Sequence, residues 1–301
     1  MTDKKPYILC FGEVLWDIFP EGSRAGGAPF NVAYNVHKMG IDVQVISKTG
    51  NDELGEKLRE QIDNWGISTQ LIQIDKNYPT GTVIAKIDER NEATYEIIND
   101  VAWDHIEYFS EYNELVSNAE AFVFGSLSSR NEKTRKTLLK LLDTAKLKIF
   151  DVNLRPPFIY AEFIKTLLHK ADIVKINKSE LLQIIKLIGD ELQTEEEAVK
   201  TIQKYFAVDE VVLTKGSEGA AYFVQDKNYT LPAVPITVAD TVGSGDAFLS
   251  GFISKRIFDE KPEEILRNAV SLGAFITSRN GACPDYDYCE FEKFRKKNFI
   301  R

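Results

Sequence analysis

The chain has 301 residues, of which 44% are hydrophobic and 28% are charged, a composition typical of a globular protein with a sizeable core. Its 46 acidic and 37 basic side chains give a net charge of −9, which disfavours binding to nucleic acid or to an anionic membrane. The apolar runs are too short for a membrane span, and Glu13 and Asp17 interrupt the N-terminal one too early for a signal peptide. Three scattered cysteines are typical of a reduced, cytoplasmic protein.

Short apolar strands alternate with amphipathic helices along the chain. This pattern predicts an α/β fold over residues 1–301, with a doubly wound, mostly parallel sheet and helices on both faces. The predicted strands are Tyr7–Phe11, Val43–Ser47, Asn118–Gly125, Lys148–Val152, Asp172–Ile176 and Glu210–Leu213. The predicted helices are Asn31–Lys38, Glu53–Trp65, Glu132–Ala145, Phe158–Leu168, Ser179–Ile188 and Phe248–Phe258. In such a sheet, ligands bind beyond the carboxyl ends of the strands.

Three stretches with no helix between them break this pattern: Leu71–Asp75, Gly81–Asp88 and Thr94–Asn99. Each shows partial alternation of β-branched and polar residues, and turn residues such as Glu89–Asn91 separate them. We expect adjacent antiparallel strands that form a small flap outside the main sheet. An ordinary β-extension explains the same pattern.

The first motif follows a carboxylate near the first strand. Asp17 ends the segment Glu13–Asp17, and we expect it at the carboxyl side of that strand, where it suits two neighbouring sugar hydroxyls. The adjacent glycines Gly26 and Gly27 let a ligand approach the main chain closely. Asn31, near the start of the next helix, offers both a donor and an acceptor. A glycine-rich turn that only caps a helix explains the same residues.

The second motif joins a glycine-rich turn to a helix. Gly243, Ser244 and Gly245 precede the predicted helix at Phe248, so backbone N–H groups and the helix dipole favour an anion there. Asp246 would repel a bound phosphate, but it suits a general base that takes a proton from an attacking hydroxyl. An ordinary capped helix remains an alternative. The segment is neither a Walker A loop, nor a protein-kinase motif, nor a dinucleotide fingerprint.

Taken together, Gly26–Ala33 and Asp240–Asp246 resemble the two signature segments of the PfkB, or ribokinase-like, family of carbohydrate kinases. The resemblance covers essentially the whole chain. It implies an ATP-dependent sugar kinase that uses Mg²⁺, with Asp246 as the base and the Gly243, Ser244 and Gly245 turn holding the phosphoryl group. It also implies a lid formed by segments around residues 12–33 and 70–105, and a homodimer that pairs through this lid.

The same resemblance implies where nucleotide and metal ions bind. Glu180, in the segment Asn177–Glu180, would hold Mg²⁺ through water, which suits a hard cation that keeps its waters. The implied ATP-binding residues are Asn177, Glu180, Thr214, Lys215, Gly216, Gly219, Gly243, Gly245 and Asn280. A potassium ion would lie among Asp240, Val242, Ile276, Arg279, Gly281 and Asp285.

Three further segments resemble the fructokinase branch of the family: Gly12–Asp17, Ala102–Asp104 and Asp151–Pro157. They imply phosphorylation of D-fructose to fructose 6-phosphate, with Trp103 among the sugar contacts. Arg155 is expected at a strand end, where its guanidinium suits sugar oxygens or the γ-phosphate. A 2-keto-3-deoxygluconate kinase or a ribokinase of the same family remains open. So does a non-catalytic relative that senses sugar or acts as a scaffold.

Overall fold

A computed structural model describes residues 5–20, 22–87, 93–191 and 194–299, which form thirteen strands and ten α-helices. The strands are β1 Tyr7–Phe11, β2 Leu15–Phe19, β3 Gly22–Gly26, β4 Asp42–Gly50, β5 Ile72–Asp75, β6 Gly81–Ile87, β7 Ala93–Ile97, β8 Ala121–Gly125, β9 Lys148–Asp151, β10 Ile173–Asn177, β11 Glu210–Thr214, β12 Ala220–Val224 and β13 Lys227–Leu231. The helices are α1 Ala28–Lys38, α2 Glu53–Asn64, α3 Tyr112–Asn118, α4 Glu132–Leu142, α5 Ala161–Lys170, α6 Lys178–Leu187, α7 Glu195–Phe206, α8 Ser244–Arg256, α9 Pro262–Thr277 and α10 Tyr288–Phe299. None of the described helices has the length and hydropathy to cross a membrane.

The main sheet has nine strands in the order β13-β12-β11-β10-β9-β8-β1-β4-β5. The strands from β11 to β5 are parallel, and β12 and β13 add antiparallel pairs at one edge. Because the parallel strands run the same way, their carboxyl ends meet at one edge of the sheet. This confirms the predicted α/β fold with a mostly parallel sheet.

Helices cover both faces of the main sheet, so alternate side chains of one strand enter two separate cores. In β1, Ile8 and Cys10 pack into the core with α1, α8 and α9, whereas Leu9 and Phe11 face the core with α4 to α7. Burial on both faces explains why the strands read as continuous apolar runs in the sequence.

A second sheet of four strands has the order β3-β2-β6-β7. Its β6 and β7 are antiparallel neighbours, as predicted. The expectation for Leu71–Asp75 is wrong: β5 joins the main sheet parallel to β4, because α2 connects the two strands as a crossover. The predicted turn at Glu89–Asn91, together with Asp88, lies outside the described residues.

The position of Asp17 also differs from the sequence-based expectation. The chain leaves β1 at Gly12, which adopts φ +144°, and then enters the second sheet. Asp17 is therefore the middle residue of β2, paired with Arg24 of β3, and does not lie at the end of a main-sheet strand.

Several predicted boundaries shift where turns intervene. Helix α8 begins at Ser244, four residues before the prediction, because Gly243 caps it at φ +75°. The predicted strand at Asn118 starts too early, since Asn118 ends α3. Phe158 precedes α5 in a loop, where its ring contacts the guanidinium of Arg130.

Candidate active site

The glycine pair before α1 makes room for neighbouring groups of the site. A Cβ added to Gly26 would overlap the carboxylate of Asp17, and one added to Gly27 would overlap the carbonyl of Glu13. Gly27 also has φ +113°, which side chains other than glycine rarely adopt. The two glycines therefore bring the strand β2, the turn at Glu13 and the start of α1 into close contact.

Helix α1 contributes an amide that reaches the first turn of α8. Asn31 is buried, and its Nδ2 donates a hydrogen bond of 2.8 Å to Oδ2 of Asp246. Its Oδ1 lies 3.4 Å from the Cys283 sulfur. The two signature motifs, about 215 positions apart, thus meet through a direct side-chain contact.

The start of α8 has the geometry expected of an anion site. A Cβ on Gly243 would overlap Ala282, so the tight turn requires glycine. The hydroxyl of Ser244 accepts a 2.8 Å hydrogen bond from Thr277, which fixes the turn against α9. The amide of Ser244 donates a 3.3 Å hydrogen bond to the carbonyl of Thr241. The amides that follow it in the first turn have no partner within the helix, so they and the positive dipole end can meet an anion. Asp246 lies within the same turn and is 9% exposed.

Three carboxyl groups near this turn have raised pKa values. Burial is the main cause for each: it raises the pKa of Glu13 to about 7 and that of Asp17 to about 6. For Asp17 and Glu13 the charge of Asp246 adds to the rise, whereas Arg155 opposes it. Burial also raises the pKa of Asp246, helped by Asp151 and opposed by Lys175, Asn31 and Arg155. The charges of Asp246 and Arg155 thus affect the pKa of Asp17, and the charge of Arg155 also affects the pKa of Asp246.

Glu13 is the most deeply buried of these acids and was not predicted as a site residue. It is 2% exposed, and its Oε1 accepts a 3.3 Å hydrogen bond from the amide of Ala28. Among the described residues Oε2 has no hydrogen-bond partner. The available signal was a lone acidic residue directly after a buried apolar strand.

The ends of β9 and β10 add a second group of charges. Lys175 forms a buried ion pair with Asp151, at 2.9 Å, and neither residue was predicted as part of the site. Glu180 accepts hydrogen bonds from the amides of Leu154, at 3.0 Å, and Asn177, at 2.9 Å. Burial raises the pKa of Glu180, and Asn177 in turn caps α6 through the Glu180 amide.

Glu180 suits a magnesium ion that keeps most of its water. Its oxygens each accept one backbone hydrogen bond and retain a further lone pair. Within the described residues, no group of three or more acidic, histidine or cysteine side chains could hold a metal by itself. A lone carboxylate is adequate where phosphate and water supply the other ligands.

The two predicted nucleotide turns are joined by ion pairs. Lys178 contacts Glu218 at 2.7 Å, so the start of α6 meets the turn after β11. Glu195, the first residue of α7, pairs with both Lys178, at 2.9 Å, and Lys215, at 2.7 Å. Thr214 ends β11, and the turn places Gly216 and Gly219 at φ +57° and +101°. Asn280 is exposed in the loop that follows α9.

The predicted potassium ligands are only partly brought together. Asp240 accepts 3.0 Å hydrogen bonds from the amides of Val242 and Gly281, which joins two of the predicted segments. Arg24 of β3 reaches the same carboxylate at 3.4 Å. The carboxylate of Asp285 is almost fully exposed and pairs with Lys38.

The remaining predicted ligands in this region are held by local contacts. Ile276 lies buried in α9, where its carbonyl accepts from the Arg279 amide at 2.8 Å. The Arg279 guanidinium lies 4.2 Å from the centre of the Phe275 ring.

Trp103 is 1% exposed and packs into the core between the second sheet and α4. The Arg130 guanidinium lies 4.1 Å from its ring, and its indole N–H has no partner among the described residues. Asp104, next to it, binds Arg130 through both carboxylate oxygens, at 2.7 and 2.8 Å. In this structure the segment Trp103–Asp104 therefore anchors the second sheet to the main one.

Comparison with known proteins gives a consistent result. The sequence profile described as "pfkB family carbohydrate kinase" matches residues 8–288. The chain is 28% identical over 308 residues to "Probable fructokinase-5" of Arabidopsis thaliana, covering 93% of this chain and 94% of the relative. A Xylella fastidiosa fructokinase with bound ATP superposes with TM-score 0.87 at 23% identity, over 98% of this chain and 99% of the other. A Vibrio cholerae fructokinase with fructose, ADP and calcium gives TM-score 0.81 at 20% identity, over 97% and 99%.

The buried Glu13 leads to a prediction about stability. Because folding raises its pKa from 4.5 to about 7, its ionisation destabilises the folded protein as pH rises through this range. Glu13→Gln should therefore increase the free energy of unfolding by about 3 kcal/mol at pH 8, but by less than about 1 kcal/mol at pH 5. Urea denaturation at both pH values measures this difference.

The exposed Glu60→Gln on α2 is the matched control, and its effect should stay within about 0.5 kcal/mol at both pH values. A gain for Glu13→Gln that does not depend on pH would contradict the assignment of a buried, ionising carboxyl.

Proposed function

Because the chain belongs to the pfkB family of carbohydrate kinases, we propose that it uses ATP to phosphorylate the primary hydroxyl of D-fructose, giving fructose 6-phosphate. The observation that carries this proposal is the buried Asn31–Asp246 contact at the start of α8, which joins the two motifs. The choice of fructose is supported by the names of relatives that span nearly the whole chain.

Asp246 acts as the general base in the proposed reaction. Its carboxylate takes the proton of the sugar hydroxyl as the oxygen attacks the γ-phosphorus, and the bond to the ADP oxygen breaks. The raised pKa of Asp246 makes it a stronger base than an ordinary aspartate. The amides of Gly243, Ser244 and Gly245, with Arg155, stabilise the charge on the transferred group.

The sugar lies between the second sheet and the start of α1. Asp17 accepts hydrogen bonds from sugar hydroxyls, and Asn31 orients both the sugar and Asp246. Gly26 and Gly27 allow the sugar to approach the backbone closely, and Trp103 is the predicted contact from the segment after β7. Closure of the second sheet over the sugar would exclude water and limit ATP hydrolysis.

The nucleotide extends from the start of α8 toward the turns after β10 and β11. Its proposed contacts are Asn177, Glu180, Thr214, Lys215, Gly216, Gly219, Gly243, Gly245 and Asn280. Glu180 would hold magnesium through water, and the bound ion would neutralise phosphate charge. The proposed potassium site comprises Asp240, Val242, Ile276, Arg279, Gly281 and Asp285.

We also propose a cytoplasmic homodimer that pairs through the second sheet. Residues Gly22 to Arg24 of β3 are exposed at the edge of this sheet, where unpaired backbone groups favour pairing with another strand.

One observation favours 2-keto-3-deoxygluconate as an alternative substrate. The half-exposed guanidinium of Arg24 acts on Asp17, so a cation is available beside the proposed sugar site. Rates of ADP formation with fructose, ribose, 2-keto-3-deoxygluconate and no sugar separate the candidates. Fructose should give the highest kcat/KM; a higher value for the acidic sugar would overturn the choice of fructose, and no turnover with any sugar would favour a sensor or scaffold.

Asp246→Asn should lower kcat by about 10²- to 10⁴-fold, the usual contribution of a general base, because the amide keeps the contact size but cannot accept the proton. Steady-state kinetics with fructose and MgATP measure the loss, and the exposed Asp190→Asn should behave as wild type. Nearly unchanged turnover in a folded Asp246→Asn variant would contradict its role as base.

Asp17→Asn should raise the KM for fructose about 10- to 100-fold, the range for a lost hydrogen bond to a charged group, and leave the KM for ATP nearly unchanged. Varying each substrate in turn measures the two constants. An unaltered KM for fructose, or an equal rise for ATP, would contradict the placement of Asp17 at the sugar.

A further inference from the structure

The ammonium group of Lys175 lies at the carboxyl edge of the main sheet, in the interior of the protein. Lys175 belongs to β10 and is 5% exposed. Its Nζ donates to both oxygens of Asp151, the last residue of β9, at 2.9 and 3.1 Å. An ammonium group has three donors, and the hydrogen bonds among the described residues use two of them.

Lys175 also touches the turn that begins α8. A Cβ placed on Gly245 would lie 2.9 Å from Nζ, so the ammonium group lies against the backbone of this residue. The positive charge therefore lies next to the turn whose amides would meet the phosphoryl group. The absence of a side chain at Gly245 leaves room for this contact.

The surrounding acids keep Lys175 charged. Burial alone would lower the pKa of Lys175, but the carboxylates of Asp151, Glu180 and Asp246 outweigh it and raise the pKa. A buried ion pair adds little net stability, because removing two charges from water offsets much of their attraction. Two apolar side chains would join β9 to β10 equally well, so stability alone does not explain why Lys175 and Asp151 are charged.

We propose that Lys175 and Asp151 form a charge pair that sets the proton affinity of Asp246, with Lys175 as a positioning residue for the base. The proposal rests on the kinase function above. Lys175 stabilises ionised Asp246, and Asp151 opposes it, so the balance of the two charges determines the pH at which the base becomes active. Asp151 also holds the ammonium group beneath the α8 turn.

Other groups face Asp246 as well, and the test must separate them from this pair. Asn31 lies on α1, Glu13 in the turn after β1 and Arg155 in the turn after β9. Asp17 lies on β2, and Cys283 lies in the loop before α10. The charges that act on Asp17 are those of Asp246, Arg155 and Arg24, without Lys175 or Asp151 among them. A change in the pair should therefore act on Asp246 more directly than on Asp17.

The test compares the pH dependence of kcat, at saturating fructose and MgATP, in two single variants. In the acidic limb of the profile, kcat rises with pH as the base loses its proton. Lys175→Met removes the positive charge and should move this limb to higher pH by about one unit. Asp151→Asn removes the negative charge and should move the same limb to lower pH by about one unit. Lys133→Met, in an exposed ion pair on α4, is the control and should leave the profile unchanged.

A purely structural role predicts lower stability in both variants and no opposite shifts. Unmoved profiles in folded variants, or shifts in the same direction, would overturn the proposal. If Lys175→Met fails to fold, Asp151→Asn keeps the lysine and decides the question by the direction of its shift alone. If Asp151→Asn also fails to fold, Lys175→Arg is measured instead, because it keeps the positive charge. Its acidic limb should lie at the wild-type pH, and a limb at another pH would count against the proposal.

Failure of the kinase proposal would be visible separately. Wild-type turnover of fructose and its loss in Asp246→Asn are measured first, and neither depends on Lys175. With both established, the opposite shifts test only the role of the charge pair.

Discussion

The carboxylate of Asp246 is held in the first turn of a helix, at a point where several other acidic groups are also buried. Water is largely excluded there, so each negative charge raises the pKa of its neighbours, as Asp246 does for Asp17 and Glu13. The helix dipole, Lys175 and Arg155 oppose this effect. The resulting balance leaves the pKa of Asp246 above that of an ordinary aspartate, so its carboxylate is a stronger base. The proposed chemistry depends on this balance.

Close backbone contacts make that arrangement possible. Gly26, Gly27 and Gly243 each occupy a position where a Cβ would overlap another part of the site, and two of them have positive φ. They draw the second sheet, α1, α8 and the loop at Ala282 together, so that residues far apart in sequence share one site. Glycine at these positions therefore serves packing between elements as much as contact with a ligand.

Sequence patterns predicted both glycine motifs and six strands of the main sheet, namely β1, β4, β8, β9, β10 and β11, because parallel strands buried on both faces read as apolar runs and the motifs are local. The strand β5 was assigned to the flap instead, and the antiparallel edge strands β12 and β13 were not predicted. The strands β2 and β3 were not predicted, since Gly22–Gly26 lacks β-branched residues and pairs only through tertiary context. Asp17 was placed at the end of β1 because β2, to which it belongs, was not recognised as a separate strand. The roles of Glu13, Lys175 and Asp151 depend on contacts between distant segments. The local signal was a charged residue within an apolar strand for Lys175 and Asp151, and an acidic residue just after such a strand for Glu13.

The most direct test is a crystal structure with fructose and a non-hydrolysable ATP analogue. We predict an oxygen of Asp246 within about 3 Å of the primary hydroxyl, and the terminal phosphate against the amides of residues 243–246. A sugar bound with that hydroxyl remote from Asp246, or a nucleotide bound away from the start of α8, would contradict the account.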